Sequence, residues 1–337
     1  MRGVFGIIGL RTSSIAGHIT CLGSITEPNR NRNKKSADMK DRKLLVIFHI
    51  YYHEHVDYYL DKIKNINGCE WDLLVTYVAY SSETEQKVRA IKPDATFFEV
   101  DNVGYDVWPF IRVMQEKDLS GYDYVLKIHT KSVSRNGRDK LNGILVNGTV
   151  WRDLLVDALL KSPERFRRCL RKLSSNPRCG VLCSYEFIIK VENILPEDTF
   201  LLEDEEARIG LDLSADKFCA GTIFIARVDA LKRLKTIEFT RDMWVGELRS
   251  GARGTLAHVY ERVVCLLVRE AGYKVCAISS STKTTIVAFF NKLFRPLPKL
   301  IFSLERVRER HGNVVTCPKY LTVLGLRFKV DDKMIDE

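Results

Sequence analysis

Beyond residue 43 the chain alternates between two hydrophobic rhythms. Residues 44–49 form an unbroken apolar run bounded by charge, the pattern of a strand covered on both faces. Residues 55–66 then set Val56, Tyr59, Leu60 and Ile63 at helical spacing. Strands over 71–78, 95–100 and 122–128 alternate with helices over 84–91 and 107–115. Helices over 151–160 and 164–173 follow, then a strand at 180–183 and an acidic, loop-rich stretch at 191–217. A strand at 221–226 precedes a helix over 257–271, which Gly272 stops, and 273–278 closes as a strand. This order predicts an α/β fold: a mainly parallel sheet flanked by helices, with ligands at the carboxyl ends of the strands.

Charge divides the 337 residues in the same way. The net charge of +10 invites a nucleic-acid partner, but residues 44–282 hold 33 basic and 34 acidic side chains. The surplus lies in a disordered basic lead-in at 1–43, polar and aperiodic over 26–43, and in a tail at 283–337. Basic ends on a neutral centre favour contact with an anionic surface and argue against nucleic acid. Within the tail, 284–303 is rich in Phe, Leu and Ile and carries Lys292, Arg295 and Lys299 with no acid. Pro296 and Pro298 break it, so the expectation is a basic amphipathic segment lying in an anionic leaflet. No apolar run is long enough to span a bilayer, and the run at 4–10 is too short for a convincing secretory signal. The nine cysteines are irregularly spaced and complete no zinc signature; they read as reduced core residues of a cytoplasmic protein.

Chemistry concentrates in four runs. Asp101-Asn102-Val103-Gly104-Tyr105-Asp106 leaves the third strand for a helix; Asn102 and Gly104 suit a tight turn, and Asp106 is either a helix N-cap or a site residue. The fourth strand ends in Lys127, His129, Thr130 and Lys131, which are either solvated loop charges or ligands at a strand end. Gly221 and Thr222 form a small-residue turn before a strand. His258, Glu261 and Arg262 open the last helix, where a carboxylate is favoured by the dipole whatever its role. His49, Tyr51, Tyr52 and His53 follow the first strand, as aromatic packing or as a binding loop. No G-x-G-x-x-G or Walker loop is present.

Taken in order, D-N-x-G-x-D-V-x-P-F, Y-D-Y-V-L-K-I-H-T-K-S, the W-R of Trp151-Arg152, A-G-T-I-F-I-A-R and H-x-x-E-R resemble the rhamnan synthesis protein F family over roughly residues 44–280. The resemblance implies a bacterial glycosyltransferase of the GT-A type, with a nucleotide-sugar half at 44–132 and an acceptor half at 133–282. It implies transfer of a deoxyhexose, rhamnose from dTDP-rhamnose, onto a cell-surface polysaccharide or lipid-linked glycan, on the inner face of the plasma membrane. One departure is Tyr105, where the family pattern has Arg. In that fold the fourth strand usually ends in Asp-x-Asp, which holds a divalent metal; Lys127-Ile128-His129 stands there instead. The expectation is therefore no metal cofactor, with Lys127, His129 and Lys131 facing the diphosphate. Asp106 and the loop from His49 to His53 would hold the nucleoside. Glu261, counted back from Gly272-Tyr273-Lys274, would be the general base, with His258 the alternative. The rival reading is a non-catalytic glycan-assembly or carbohydrate-binding protein on a degenerate GT-A fold.

Overall fold

A computed structural model describes residues 42–133, 139–141, 144–146, 148–190, 196–211, 217–245, 255–279, 302–306, 309–311, 314–324 and 326–334. The basic lead-in up to residue 41 and the apolar stretch at 284–301 lie outside the described residues. The first half alternates as its hydrophobic pattern requires: β1 (Lys43–Ile50), α1 (Val56–Ile63), β2 (Glu70–Tyr77), α2 (Ser82–Ile91), β3 (Thr96–Glu99), α3 (Val107–Glu116) and β4 (Tyr124–His129). Leu44 through Ile50 are all buried, as expected of a strand with packing on both faces. The Ser81 hydroxyl accepts the Thr84 N–H and so starts α2.

The second half holds β5 (Asp139–Leu141), β6 (Ile144–Val146), α4 (Gly148–Leu160), α5 (Pro163–Ser175), β7 (Cys179–Ser184), β8 (Ile188–Lys190), α6 (Pro196–Ile209), β9 (Lys217–Cys219), β10 (Phe224–Arg227), α7 (Leu256–Glu270) and β11 (Lys274–Ile278). Ser162 caps α5, with Pro163 at its first position. Gly272, at a φ of +82°, ends α7 where the sequence places the stop.

The seven strands of the main sheet lie in the order β11-β7-β10-β4-β1-β2-β3. β3, β2, β1 and β4 are mutually parallel, while β10 runs antiparallel between β4 and β7. This is the expected α/β arrangement, a mainly parallel sheet with helices packed around it. The inserted β10 is what positions the site. Its N-terminal turn reaches the same edge as the carboxyl end of β4, so Phe224 pairs with Lys127.

Three features differ from the sequence expectation. The acidic stretch at 191–217 contains α6, because Glu205 is buried where Tyr260 of α7 and Arg208 bond it. The strand expected from Gly221 starts at Phe224, and residues 221–223 belong to the turn. Within the expected tail, β12 (Phe302–Arg306), β13 (Glu309–His311), β14 (Val314–Val323) and β15 (Leu326–Met334) pair antiparallel. Among the described residues no helix is long and apolar enough to cross a membrane.

Candidate functional site

The carboxyl ends of β1, β2 and β4 carry a row of polar side chains set by register. Thr76, His49 and His129 are direct partners across the three strands. His129 and Lys127, two apart on β4, share one face. Lys127 is only 3% exposed and His129 only 5%. The Lys127 ammonium donates to the Asp106 carboxylate and to the Thr222 hydroxyl and carbonyl, the last two at 2.8 and 3.1 Å. The Thr222 hydroxyl itself donates to the same Asp106 oxygen.

Asp106 stands at the N-cap position of α3, yet its side chain caps nothing. It serves the buried ammonium instead. Burial alone would raise the Asp106 carboxyl, but His129 and Lys127 beside it and the two side-chain hydrogen bonds hold it well below the usual carboxylate range.

Two turns present these groups, and both use left-handed backbone. Gly104 and Tyr105 have φ of +62° and +54°; Gly221 and Thr222 have +79° and +46°. Gly104 is required twice over, since a Cβ there would meet Trp108 Cβ and Trp244 Cε3 at 2.6 Å. Tyr105 and Thr222 adopt the region without glycine's freedom, at a cost of about 1–3 kcal/mol each.

His129 lies 3.3 Å from Asp106 through Nδ1, an atom that is buried with no hydrogen-bond partner. Burial pushes His129 down to about 3, with Lys127, Lys131 and His49 adding to the effect and Asp106 opposing it. Burial likewise takes His49 down to about 4, while its Nδ1 meets the Thr76 hydroxyl at 3.0 Å. The three cations expected at the end of β4 therefore separate. Lys127 is an internal ion-pair member, His129 is neutral, and Lys131 carries the outlying charge. The Lys131 ammonium rests 5.3 Å from the centre of the Trp151 ring. Its backbone N–H donates to the Tyr59 hydroxyl at 3.0 Å.

Glu261 joins the same constellation from α7. Its Oε1 accepts the Gly221 N–H at 2.5 Å, one residue from Thr222, and its Oε2 lies 3.9 Å from Arg262. The His258 ring, one turn earlier, bonds the Thr255 hydroxyl at 2.8 Å and meets the Tyr105 ring edge-on at 5.8 Å.

The loop after β1 is held by Thr130, whose hydroxyl accepts the N–H groups of Tyr51 and Tyr52, both at 2.9 Å. His53 is tied by both ring nitrogens, to the Thr84 hydroxyl and the Ala79 carbonyl. A small, shallow cleft beside it is lined by Ile50, His53, Tyr77, Tyr80 and Phe97. Asn102 is exposed on the turn after β3. Arg152 pairs with Asp153 and stacks on Tyr58 at 3.6 Å, on the α1–α4 side of the site. Sequence reasoning missed Thr76, Tyr59 and Thr255, which fix His49, Lys131 and His258. Thr76 was reachable in principle, because parallel alignment of the ends of β1 and β2 sets it beside His49.

A metal in this place would need carboxylates or imidazoles grouped for it. Among the described residues no three His, Cys, Asp or Glu side chains are so grouped, and the Asp106 oxygen already serves an ammonium. The residues present do not fit a divalent cation. Cys69, Cys169, Cys179, Cys183, Cys219, Cys265 and Cys276 are free thiols.

Two predictions follow from this electrostatic arrangement. Lys127→Met leaves the half-buried Asp106 carboxylate without its ammonium and lowers stability, by less than the about 3–5 kcal/mol of a fully buried pair. Adding Asp106→Asn removes the charge and restores part of that loss, as denaturant unfolding of the single and double variants will show. The histidines set a pH window. The unfolded chain protonates them near 6.5, the folded chain only near 3 for His129 and 4 for His49. Stability is fully present above the unfolded value and falls with pH below it, by up to about 1.4 kcal/mol per unit per histidine. Melts between about pH 7.5 and about pH 5 will reveal this slope, and His129→Gln will flatten it.

Among solved structures, the chain is similar to S. aureus TarS 1–349, with 14% identity, a TM-score of 0.38, and coverage of 71% of this chain and 58% of that one. It is also similar to a putative nucleotide-diphospho-sugar transferase from Desulfovibrio desulfuricans G20, at 12% identity and a TM-score of 0.31, covering 70% and 79%. A mycobacterial protein matches at 11% identity and a TM-score of 0.36, over 91% of each chain. Among curated proteins, WxcX from two strains of Xanthomonas campestris pv. campestris is 27% identical over 244 residues. That match takes in 71% of this chain, which spans about a third (33%) of the length of those relatives. The model of rhamnan synthesis protein F matches residues 22–273, the stretch that holds every site residue described above, and the chain belongs to that family.

Proposed function

We propose that this chain is a glycosyltransferase that moves a deoxyhexose, rhamnose from dTDP-rhamnose, onto a cell-surface polysaccharide or lipid-linked glycan. One observation carries the reading. Glu261, Gly221, Thr222, Lys127 and Asp106 form one continuous hydrogen-bonded chain, so a candidate base and the strand end expected to meet the donor are held in one frame. Family membership supports the glycosyl-transfer role.

In this mechanism Glu261 takes the proton of an acceptor hydroxyl as its oxygen attacks the anomeric carbon. The bond from that carbon to the nucleoside diphosphate breaks, and negative charge develops on the leaving phosphate. Lys131, at the end of β4 with its ammonium over the Trp151 ring, is the cation assigned to that charge. Neutral His129 contributes a hydrogen bond, and Lys127 keeps the two strained turns in register. The nucleoside lies toward the loop of Tyr51, Tyr52 and His53. Transfer needs no divalent metal. The apolar, basic segment at 284–303 brings the enzyme to an anionic leaflet, where a lipid-linked acceptor would be met.

Release of nucleoside diphosphate from a panel of nucleotide sugars tests the proposal. dTDP-rhamnose is expected to lead, and no release from any donor would favour the non-catalytic reading. Turnover is expected to persist in excess EDTA; loss restored by Mn²⁺ or Mg²⁺ would overturn metal independence. Glu261→Gln keeps the bond to Gly221 but removes the base, so turnover falls about 10²–10⁴-fold while the thermal midpoint stays near wild type.

A further inference from the structure

Exposed aromatic rings are unusually placed in this molecule. Across the described residues of 42–279, the exposed Tyr, Phe and Trp side chains are Tyr51, Tyr80 and Tyr105. Each sits in a loop at the carboxyl end of a strand, after β1, β2 and β3 respectively. Tyr80 lines the cleft beside His53, and Tyr51 meets the Tyr52 ring edge-on at 4.9 Å. Tyr105 stands apart from them, next to Asp106 and against His258.

The placing of Tyr105 is costly. A bulky residue at a φ of +54° is a genuine outlier, and 42% of the residue remains in water. Neither packing nor backbone preference accounts for a tyrosine there, because burial would hide the ring and glycine would relax the turn. Strain kept on an exposed ring beside a site is the pattern of a binding contact. The ring's neighbour fixes which contact. His258 lies one helical turn before Glu261 and on the same face of α7, and its own ring is locked by Thr255.

We propose that Tyr105 and His258 form a stacking platform for the pyranose ring of the acceptor, setting its hydroxyl toward Glu261. The proposal rests on the glycosyltransferase reading and adds the subsite that reading leaves open. A rigid tyrosine offers a flat apolar face with a polar rim, suited to the C–H face of a sugar. Tyr105 is therefore a specificity-determining residue for the acceptor, distinct from the groups that meet the donor.

The test uses the full chain with dTDP and octyl α-L-rhamnopyranoside as probes. Saturation-transfer NMR reads saccharide binding, calorimetry reads dTDP binding, and a thermal midpoint confirms that each variant folds. Wild type is expected to transfer saturation to the sugar ring protons. Tyr105→Ala and Tyr105→Gly weaken saccharide binding about three- to ten-fold, the scale of one aromatic contact, while Tyr105→Phe retains it. Tyr105→Gly also raises the thermal midpoint, because it relieves the left-handed backbone. Saccharide binding equal in all variants, or absent from a wild type that binds dTDP, overturns the platform and leaves the glycosyltransferase reading standing. A wild type that binds neither probe overturns both.

Discussion

A single carboxylate oxygen of Asp106 answers a lysine ammonium that would otherwise be buried without a counter-charge. That requirement organises the centre of the molecule. Lys127 lies inside β4 at 3% exposure, where an unpaired ammonium would lose its charge or disrupt the fold. Its counter-ion comes from the loop after β3 and its second partner, Thr222, from the turn before β10, far along the chain. The ion pair thus joins three segments that no local interaction would bring together. A buried pair of this kind contributes less to stability than to specificity, because desolvation offsets most of the attraction. Its effect is to allow one arrangement of the two turns and to penalise the others.

The strained backbone depends on that pair. Two Gly-X steps in left-handed conformation face each other across Lys127, and each places one non-glycine residue where L-side chains are disfavoured. Such turns persist only when their surroundings over-determine them. Asp106 directly follows Tyr105, and Thr222 is itself a partner of Asp106, so the hydrogen bonds that neutralise the lysine also hold both turns. The antiparallel placing of β10 completes the geometry. A parallel strand would carry its N-terminal turn to the opposite edge of the sheet, and Thr222 could not meet Lys127.

The elements of the first half were legible because their signals are strong and local. The apolar run of β1, the helical spacing of Val56, Tyr59, Leu60 and Ile63, and Gly272 after α7 each act over a few residues. The direction of β10 was not legible, since a strand's hydrophobic pattern is the same read either way. α6 was missed because its defining contact, Glu205 with Tyr260, spans 55 residues and looks like surface acidity in the sequence. The strands of residues 302–334 were not legible from the charge balance, which marks the whole tail as basic whatever its local pattern. At the site, residue types were readable and charge states were not. Lys127 and His129 both look like cations at a strand end, and only depth separates an ion-paired lysine from a neutral histidine.

That separation bears on how a diphosphate could be met without a metal. A site lined by three free cations would bind the ground state and the leaving group alike, which favours binding more than turnover. Here the inner positions sum to little charge: Asp106 offsets Lys127, and burial keeps His129 and His49 neutral. In the proposed transfer the ammonium of Lys131, on the face of Trp151, meets the charge that builds on the departing phosphate. Buried, oriented dipoles and one positioned cation are already arranged before that charge appears, and little reorganisation is needed when it does. The same economy holds within the site, where the charge that must hold geometry is paired: Lys127 with Asp106.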